Sequence, residues 1–521
     1  ILKKFIIFLT SILLILVVAL VLYNEGIPFR SSFYSLNALQ TAEQGTLDSI
    51  TATRKPGRRD FLSLSYQGYE LPVFDQSSDT FLFCKQLTDN ISIEQNIGCK
   101  VVKTIDGNSM TIAAYDKTTY RLYQIELTTL PVISITTLGG TKTESVSDDY
   151  CYGVFTVFDS GTGEALQYDI GVKTRGGTSK LFYPKKSYTV KFIDAISGKD
   201  ESHSVLGMTE NSRFALNSLY EDESKIRDIA TLQLWEKMEN TQGMSRDYSI
   251  DMIPSEVVFN GEYWGLYGFQ EIVNVDSMLG GSQEEAATFK ILYYHIPVLE
   301  ALDPAAEEWQ SIELTSCSMD IPWECMREFI EDAYYTSDDE FRSQVGTRLD
   351  MQNCRDFYLY LSFIYATDNI WKNCVFVQSA DETGAMKLRL VPWDTDQSLG
   401  IFWSTYTDLK VELDITRAER DFAVEGPYLL GKLWELDAGG FRCSTANRWF
   451  ELRKGALSEE SLYALIDGTF DEITLSGARA RDAARWPNSA ICGDNSFIDE
   501  YISRRLTYLD DYYADILAEN G

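Results

Sequence analysis

Residues 5–23, FIIFLTSILLILVVALVLY, run for nineteen positions without a charge. A helix needs roughly 20 apolar residues to cross the hydrocarbon layer of a bilayer. The run therefore predicts a transmembrane signal anchor over 1–23 rather than part of a globular core. Lys3 and Lys4 precede it, which keeps the short N-terminus in the cytoplasm. The expectation is a single-pass protein of the cell membrane, held through residues 5–23, with an extracytoplasmic bulk. No A-x-A-like site follows Tyr23, so cleavage and secretion is the alternative reading.

The remainder is long enough for two or three domains with real cores. Of the 521 residues 45% are hydrophobic and 24% charged, a globular balance. The net charge of −32 argues against nucleic-acid binding through phosphates. There are two histidines, His203 and His295, and neither sits in a motif, which leaves little room for a histidine-based hydrolase. The nine cysteines form no CxxC pair, so zinc and thioredoxin-like readings are weak. Chemistry should run on carboxylates, lysine and a hard metal ion.

Residues 24–60 read as a polar linker. Residues 61–147 carry short β-rich runs such as FLSLSY and YRLYQIEL, and suggest an accessory β region. The character changes near 150. YGVFTVF, ALQYDIGVKT and KSYTVKFID read as strands, with the glycine turn RGGTS at 175–179. SKIRDIATLQLWEKM (224–238) reads as a helix capped by Ser224. VVFNGEYWGLYGFQE (257–271) reads as a hairpin with a type I′ turn at Asn260-Gly261. Residues 280–345 read as an acidic, partly helical insertion, 354–366 as an apolar helix, and 425–516 as helical.

Three constellations point to phosphoryl transfer. Asp368-Asn-Ile-Trp-Lys-Asn373 follows the apolar helix, and its Asp-x-x-x-x-Asn spacing suits a base and a metal ligand on one loop. Asp and Asn are also common in plain loops. Val391-Pro-Trp-Asp394-Thr-Asp396 delivers two carboxylates on one turn; they repel unless a cation such as Mg2+ or Mn2+ sits between them. In the strand at 186–194, alternation puts Lys186 on the apolar face with Tyr188, Val190 and Phe192, where an ammonium needs an anion. Arg175 and Gly176, just upstream, offer a guanidinium and flexible backbone to phosphates. A carboxylate-pair glycosidase gives no role to Lys186 or to this spacing.

Together IGVKTRGGTSKLFYPKKSYTVKF, LNSLYEDESKIRD, VVFNGEYWGLYGFQE, ATDNIWKN and LVPWDTDQSLG resemble the spore coat protein H (CotH) kinase family over roughly 150–515. The resemblance implies an α+β, two-lobed, protein-kinase-like fold over 148–516, beside the transmembrane helix and the additional β-rich N-terminal region. It implies transfer of phosphate from ATP to Ser or Thr of a protein substrate, with Mg2+ or Mn2+. Carried over by motif, Asp368 is the catalytic base and Lys186 binds nucleotide phosphates. Asp394, Asn373 and Asp396 hold the metal. Arg175, Gly176, Arg227 and Glu271 lie where the nucleotide binds. No His-Arg precedes Asp368, a departure from ordinary protein kinases. The alternative is a catalytically silent surface or envelope protein that binds a partner through the same cleft.

Overall fold

The computed structural model describes residues 30–519 except 58–60, 76, 97, 141, 242–247, 280–284, 293–307, 310–311, 367–368, 370–372 and 402–427. At its centre seven strands close on themselves. They are β1 Val132–Thr137, β2 Cys151–Phe158, β3 Ala165–Arg175, β4 Ser187–Phe192, β5 Arg213–Asn217, β6 Met252–Phe259 and β7 Glu262–Glu271. Their order is β5-β4-β3-β2-β1-β6-β7, and β7 pairs back onto β5 through Phe214↔Glu271 to Asn217↔Gly268. Only β1–β6 is parallel among these pairs. Period-two alternation sends one apolar face inward: Phe155 and Val157 from β2, Tyr188, Val190 and Phe192 from β4, and Tyr267 and Phe269 from β7 share one core, which Trp264 joins from the bulge in β7.

The β6–β7 hairpin turns at Asn260 (φ +53°) and Gly261 (φ +76°), the left-handed pair that a type I′ turn requires. Asn260 adds more than a turn, since its Oδ1 accepts from the Thr137 backbone N–H at 2.8 Å and ties the hairpin to the end of β1.

Beyond the barrel, β7 touches strand Val73–Asp75, which continues through Thr80–Cys84, Thr119–Thr128, Ser109–Tyr115 and Lys100–Asp106. The β-rich N-terminal region thus belongs to the same thirteen-stranded sheet as the barrel, although it packs a core of its own around Leu64, Phe83, Ile93 and Ile125. A four-stranded sheet that begins at Arg30–Ser35 lies beside it.

A second, antiparallel sheet of five strands is built from β8 Ala286–Ile291, β9 Glu308–Trp309, β10 Ile312–Cys317, β11 Cys374–Ala380 and β12 Met386–Pro392, in the order β9-β10-β8-β11-β12. Around it pack α2 Arg227–Asn240, α3 Met351–Ile364 and the C-terminal helices α4 Phe441–Leu452, α5 Glu459–Leu475, α6 Ala478–Arg485 and α7 Ser496–Glu519, in the largest core of the chain. A short helix, α1 Thr178–Phe182, follows β3.

Several expectations are corrected. The two-lobed, protein-kinase-like fold gives way to a closed seven-stranded barrel within the expected α+β architecture, and the expected β-rich N-terminal region is joined to the barrel's sheet. The apolar run at 5–23 lies outside the described residues, and among these no helix is long and apolar enough to cross a membrane. The acidic insertion at 280–345 is partly helical as expected, at Glu324–Tyr334 and Asp338–Arg348, but it also contributes β8, buried along most of its length, and β10. Ser224 does not cap α2. The N-cap position is Ile226, which has no side-chain cap; Asp222 takes the Arg227 N–H at 2.8 Å and also the Ser224 N–H and hydroxyl.

Candidate functional site

A cavity of about 660 Å3 opens where the ends of β3, β5 and β7 meet the ends of β8 and β12. Its lining divides by charge. Arg175, Lys173, Lys290 and Gln270 supply donors, while Glu221, Asp222, Asp394, Asp396 and Asn373 supply oxygens.

The donor side rests on the barrel. β3 ends at Arg175, and Gly176 follows at φ +102°, a region that favours glycine; a Cβ there would fall 2.4 Å from the Ser179 Oγ. The turn presses the Arg175 guanidinium over the Trp393 ring, 4.9 Å from its centroid. Burial works against the charge of Arg175, and the nearby Asp394 and Asp228 favour it. Arg175 Nη1 and Gln270 Nε2 are both buried donors with no hydrogen-bond partner among the described residues. Buried donors are rarely left so, which marks this wall as able to take an acceptor.

The acidic side is assembled by three loops. β12 ends at Pro392, and Asp394 adopts φ +59° on the turn beyond it. Asn373, at φ +55°, leads into β11. Buried Asn369 joins the two, donating its Nδ2 to the Asn373 carbonyl at 2.9 Å and to the Trp393 carbonyl at 2.7 Å. One asparagine inside the Asp-x-x-x-x-Asn motif therefore holds that loop against the Asp-Thr-Asp turn. The third loop, Ser218–Asp222, runs from β5 to α2, where Asp228 sits buried.

The carboxylates disturb one another. Burial, then Asp394 and Asp228, holds the Asp396 carboxyl well above its usual range. Burial and Asp394 also push Asp228 and Glu221 up. Asp222 goes the other way: burial opposes its charge, but the Arg227 ion pair, the Ser224 hydroxyl and the α2 backbone outweigh it and lower the carboxyl.

A crowd of acids raised in this way is what a hard cation would relieve. Among the described residues no three His, Cys, Asp or Glu side chains already stand as a metal group. Mg2+ does not need one, since it is usually held by one or two carboxylates plus phosphate oxygens and water. Asp394, Asp396 and the Asn373 amide oxygen fit that donor set, and they line the same cavity as the donors Arg175, Lys173, Lys290 and Gln270.

Of the residues expected from sequence, Arg175, Gly176, Asn373, Asp394 and Asp396 line this cavity. Asp368 lies outside the described residues. Three others are not in its lining. Lys186 precedes β4 instead of lying within it, and its Nζ donates to the Lys180 carbonyl at 2.6 Å. Lys185 is the buried lysine, yet it points away from the cavity to Asp482 on α6 at 2.6 Å. Arg227 braces the site from behind, pairing with Asp222 and donating Nε to the Ser398 carbonyl at 3.0 Å. Glu271 accepts the backbone N–H groups of Thr209 at 2.6 Å and Asp251 at 3.0 Å; its neighbour Gln270, on the opposite face of the strand, reaches the cavity instead.

Sequence reasoning missed Glu221, Asp222, Asp228, Gln270, Lys173 and Lys290. All but Lys290 fall inside segments that carried the family resemblance. Lys290 lies on β8, whose strand character went unrecognised.

Among known proteins, no curated protein matches this chain. A solved structure described as "Structure of the open conformation of CtTel1" aligns at 11% identity over 69% of this chain and 12% of that one, with a TM-score of 0.28, too low to carry an argument. The family model described as "CotH kinase protein" matches residues 172–515, which includes every described residue of the cavity. The chain belongs to the CotH kinase family.

Proposed function

We propose that the chain is a phosphotransferase that moves a phosphoryl group from ATP to a Ser or Thr hydroxyl of a protein substrate. The observation that carries this reading is the mixed lining of the cavity, where Arg175 Nη1 and Gln270 Nε2, donors without a partner among the described residues, share one cavity with the oxygen set of Asn373, Asp394 and Asp396. That arrangement suits a triphosphate with a divalent cation, whereas a neutral sugar or apolar ligand would leave both charged walls uncompensated.

Arg175 and Gln270 hold phosphate oxygens, with Lys173 and Lys290 adding positive charge on the same wall. Mg2+ or Mn2+, held by Asp394, Asp396 and Asn373, supplies neutralisation of the phosphate charge. Asn369 keeps the two ligand-bearing loops in register, so the oxygens are positioned before the nucleotide arrives. By family motif, Asp368 accepts the proton of the acceptor hydroxyl.

Calorimetry of ATP against the full chain, with Mn2+ and then with EDTA, tests the reading. The expected result is binding that strengthens with the metal. Metal-independent binding, or none, would overturn it. Tight metal-dependent binding without transfer to any protein would instead support the silent, partner-binding alternative.

A further inference from the structure

Asp394 occupies a left-handed backbone conformation, at φ +59°, which costs energy in a non-glycine residue, though less in Asp than in most. The next residue shows what holds it. The Thr395 N–H donates to Asp228 Oδ1 at 2.6 Å, and the Thr395 hydroxyl donates to the same oxygen at 3.1 Å. The other oxygen, Asp228 Oδ2, accepts from Asn217 Nδ2 at 2.9 Å, at the end of β5. Asp228 and Thr395 are both buried, on the first turn of α2 and in the turn after β12. One carboxylate thus ties the barrel, α2 and the acidic turn together, immediately behind a cavity wall.

A carboxylate is an unfavourable choice for this joint in an empty site, because it is buried beside Asp394, a second acid. A neutral amide would avoid that repulsion but could not fasten all three elements, because Oδ2 also accepts from Asn217 Nδ2 and an amide has one acceptor oxygen. The negative charge becomes favourable once a cation lies against Asp394, since outer carboxylates raise the basicity of the groups they orient and lower the cation's energy.

We propose that Asp228 is a positioning residue that holds Asp394 in its ligating conformation and tunes the site for a divalent cation. This rests on the phosphotransferase reading. Asp228 touches neither nucleotide nor metal; it acts through Thr395.

The test is Mn2+ affinity of the ATP-loaded full chain, read from the electron paramagnetic resonance signal of free Mn2+, for wild type, Asp228→Asn and Thr395→Val. Asp228→Asn should weaken Mn2+ binding about 10- to 100-fold, as loss of an outer-shell partner does. Its affinity for ATP in EDTA should be unchanged, which a collapse of the cavity would not allow. Thr395→Val keeps the backbone donor and loses only the hydroxyl, so it should weaken Mn2+ about three- to tenfold; it serves if Asp228→Asn does not fold. Hydrogen exchange at the Thr395 amide should accelerate in Asp228→Asn. A folded Asp228→Asn that binds Mn2+ as tightly as wild type overturns the positioning role alone. A wild type that takes up no Mn2+ with ATP overturns the functional reading and the inference with it.

Discussion

Replacing Lys185 by Met should be among the more damaging single changes to the barrel, though it touches no cavity residue. Lys185 is fully buried, with its Nζ 2.6 Å from Asp482 Oδ1 and 4.6 Å from the centroid of the Tyr267 ring. Asp482 is 1% exposed, and the same Oδ1 also accepts the Leu266 N–H at 2.9 Å. Packing around this pair is close: a Cβ on Gly265 would fall 2.4 Å from Asp482 Oδ1. Met matches the lysine stem in length, so no large cavity opens. What remains is a buried carboxylate without its ion-pair partner, and removing one partner of a buried pair costs about 3–5 kcal/mol. Asp482→Asn in the same chain removes that stranded charge and keeps an acceptor for Leu266, so the double variant should recover more than half of the loss. Urea unfolding followed by tryptophan fluorescence is well placed to report it, because the Trp264 and Trp486 rings lie 5.3 Å apart at this junction and Trp486 Nε1 donates to the Trp264 carbonyl at 2.7 Å. A loss below about 1 kcal/mol for Lys185→Met, or effects of the two substitutions that simply add, would refute the reasoning.

Other outcomes follow from the same geometry. Burial pushes the Glu271 carboxyl up to about 7. The folded state therefore holds its proton more tightly than the unfolded state. The stabilisation is full below the unfolded value near 4.5 and is lost as pH rises to about 7, so Glu271→Gln should gain on the order of 3 kcal/mol over wild type across that window in paired denaturation curves; parallel curves refute it. Arg175→Gln should weaken metal–ATP binding about 10- to 150-fold, the worth of one charge-assisted hydrogen bond, while Lys186→Met should change it little; the reverse ranking in calorimetry restores the lysine to the site. Asp394→Ala should abolish the metal dependence of nucleotide binding, and a variant that still responds to Mn2+ removes Asp394 from the ligand set.

The parts of this protein that were legible in its sequence are those set by local periodicity or by a spaced motif. The β6–β7 hairpin could be read because Asn-Gly admits few other turns. The paired acids at 394 and 396 and Asn373, singled out by spaced motifs, line one cavity. Lys186 was misplaced because alternation fixes a face but not where a strand begins: β4 starts one residue later, and the buried lysine is its neighbour. Closure of the barrel was invisible, since the pairing of β5 with β7 joins residues about fifty positions apart and no local signal records it. The contact between Asp228 and Thr395 was hidden for a related reason. An acid in the first turn of a helix ordinarily complements the helix dipole, and only the fold brings Thr395 against it.

The most direct test of the account is transfer of the terminal phosphate of ATP to protein, measured with Mn2+ or Mg2+ for wild type and Asp368→Asn. The account predicts metal-dependent incorporation on Ser or Thr by the wild type, and a rate lower by about 10²–10⁴ in Asp368→Asn with ATP binding retained. Equal incorporation by the two proteins would contradict the assignment of the base, and a wild type that binds ATP but transfers nothing to any protein would contradict the claim that the chain is a phosphotransferase.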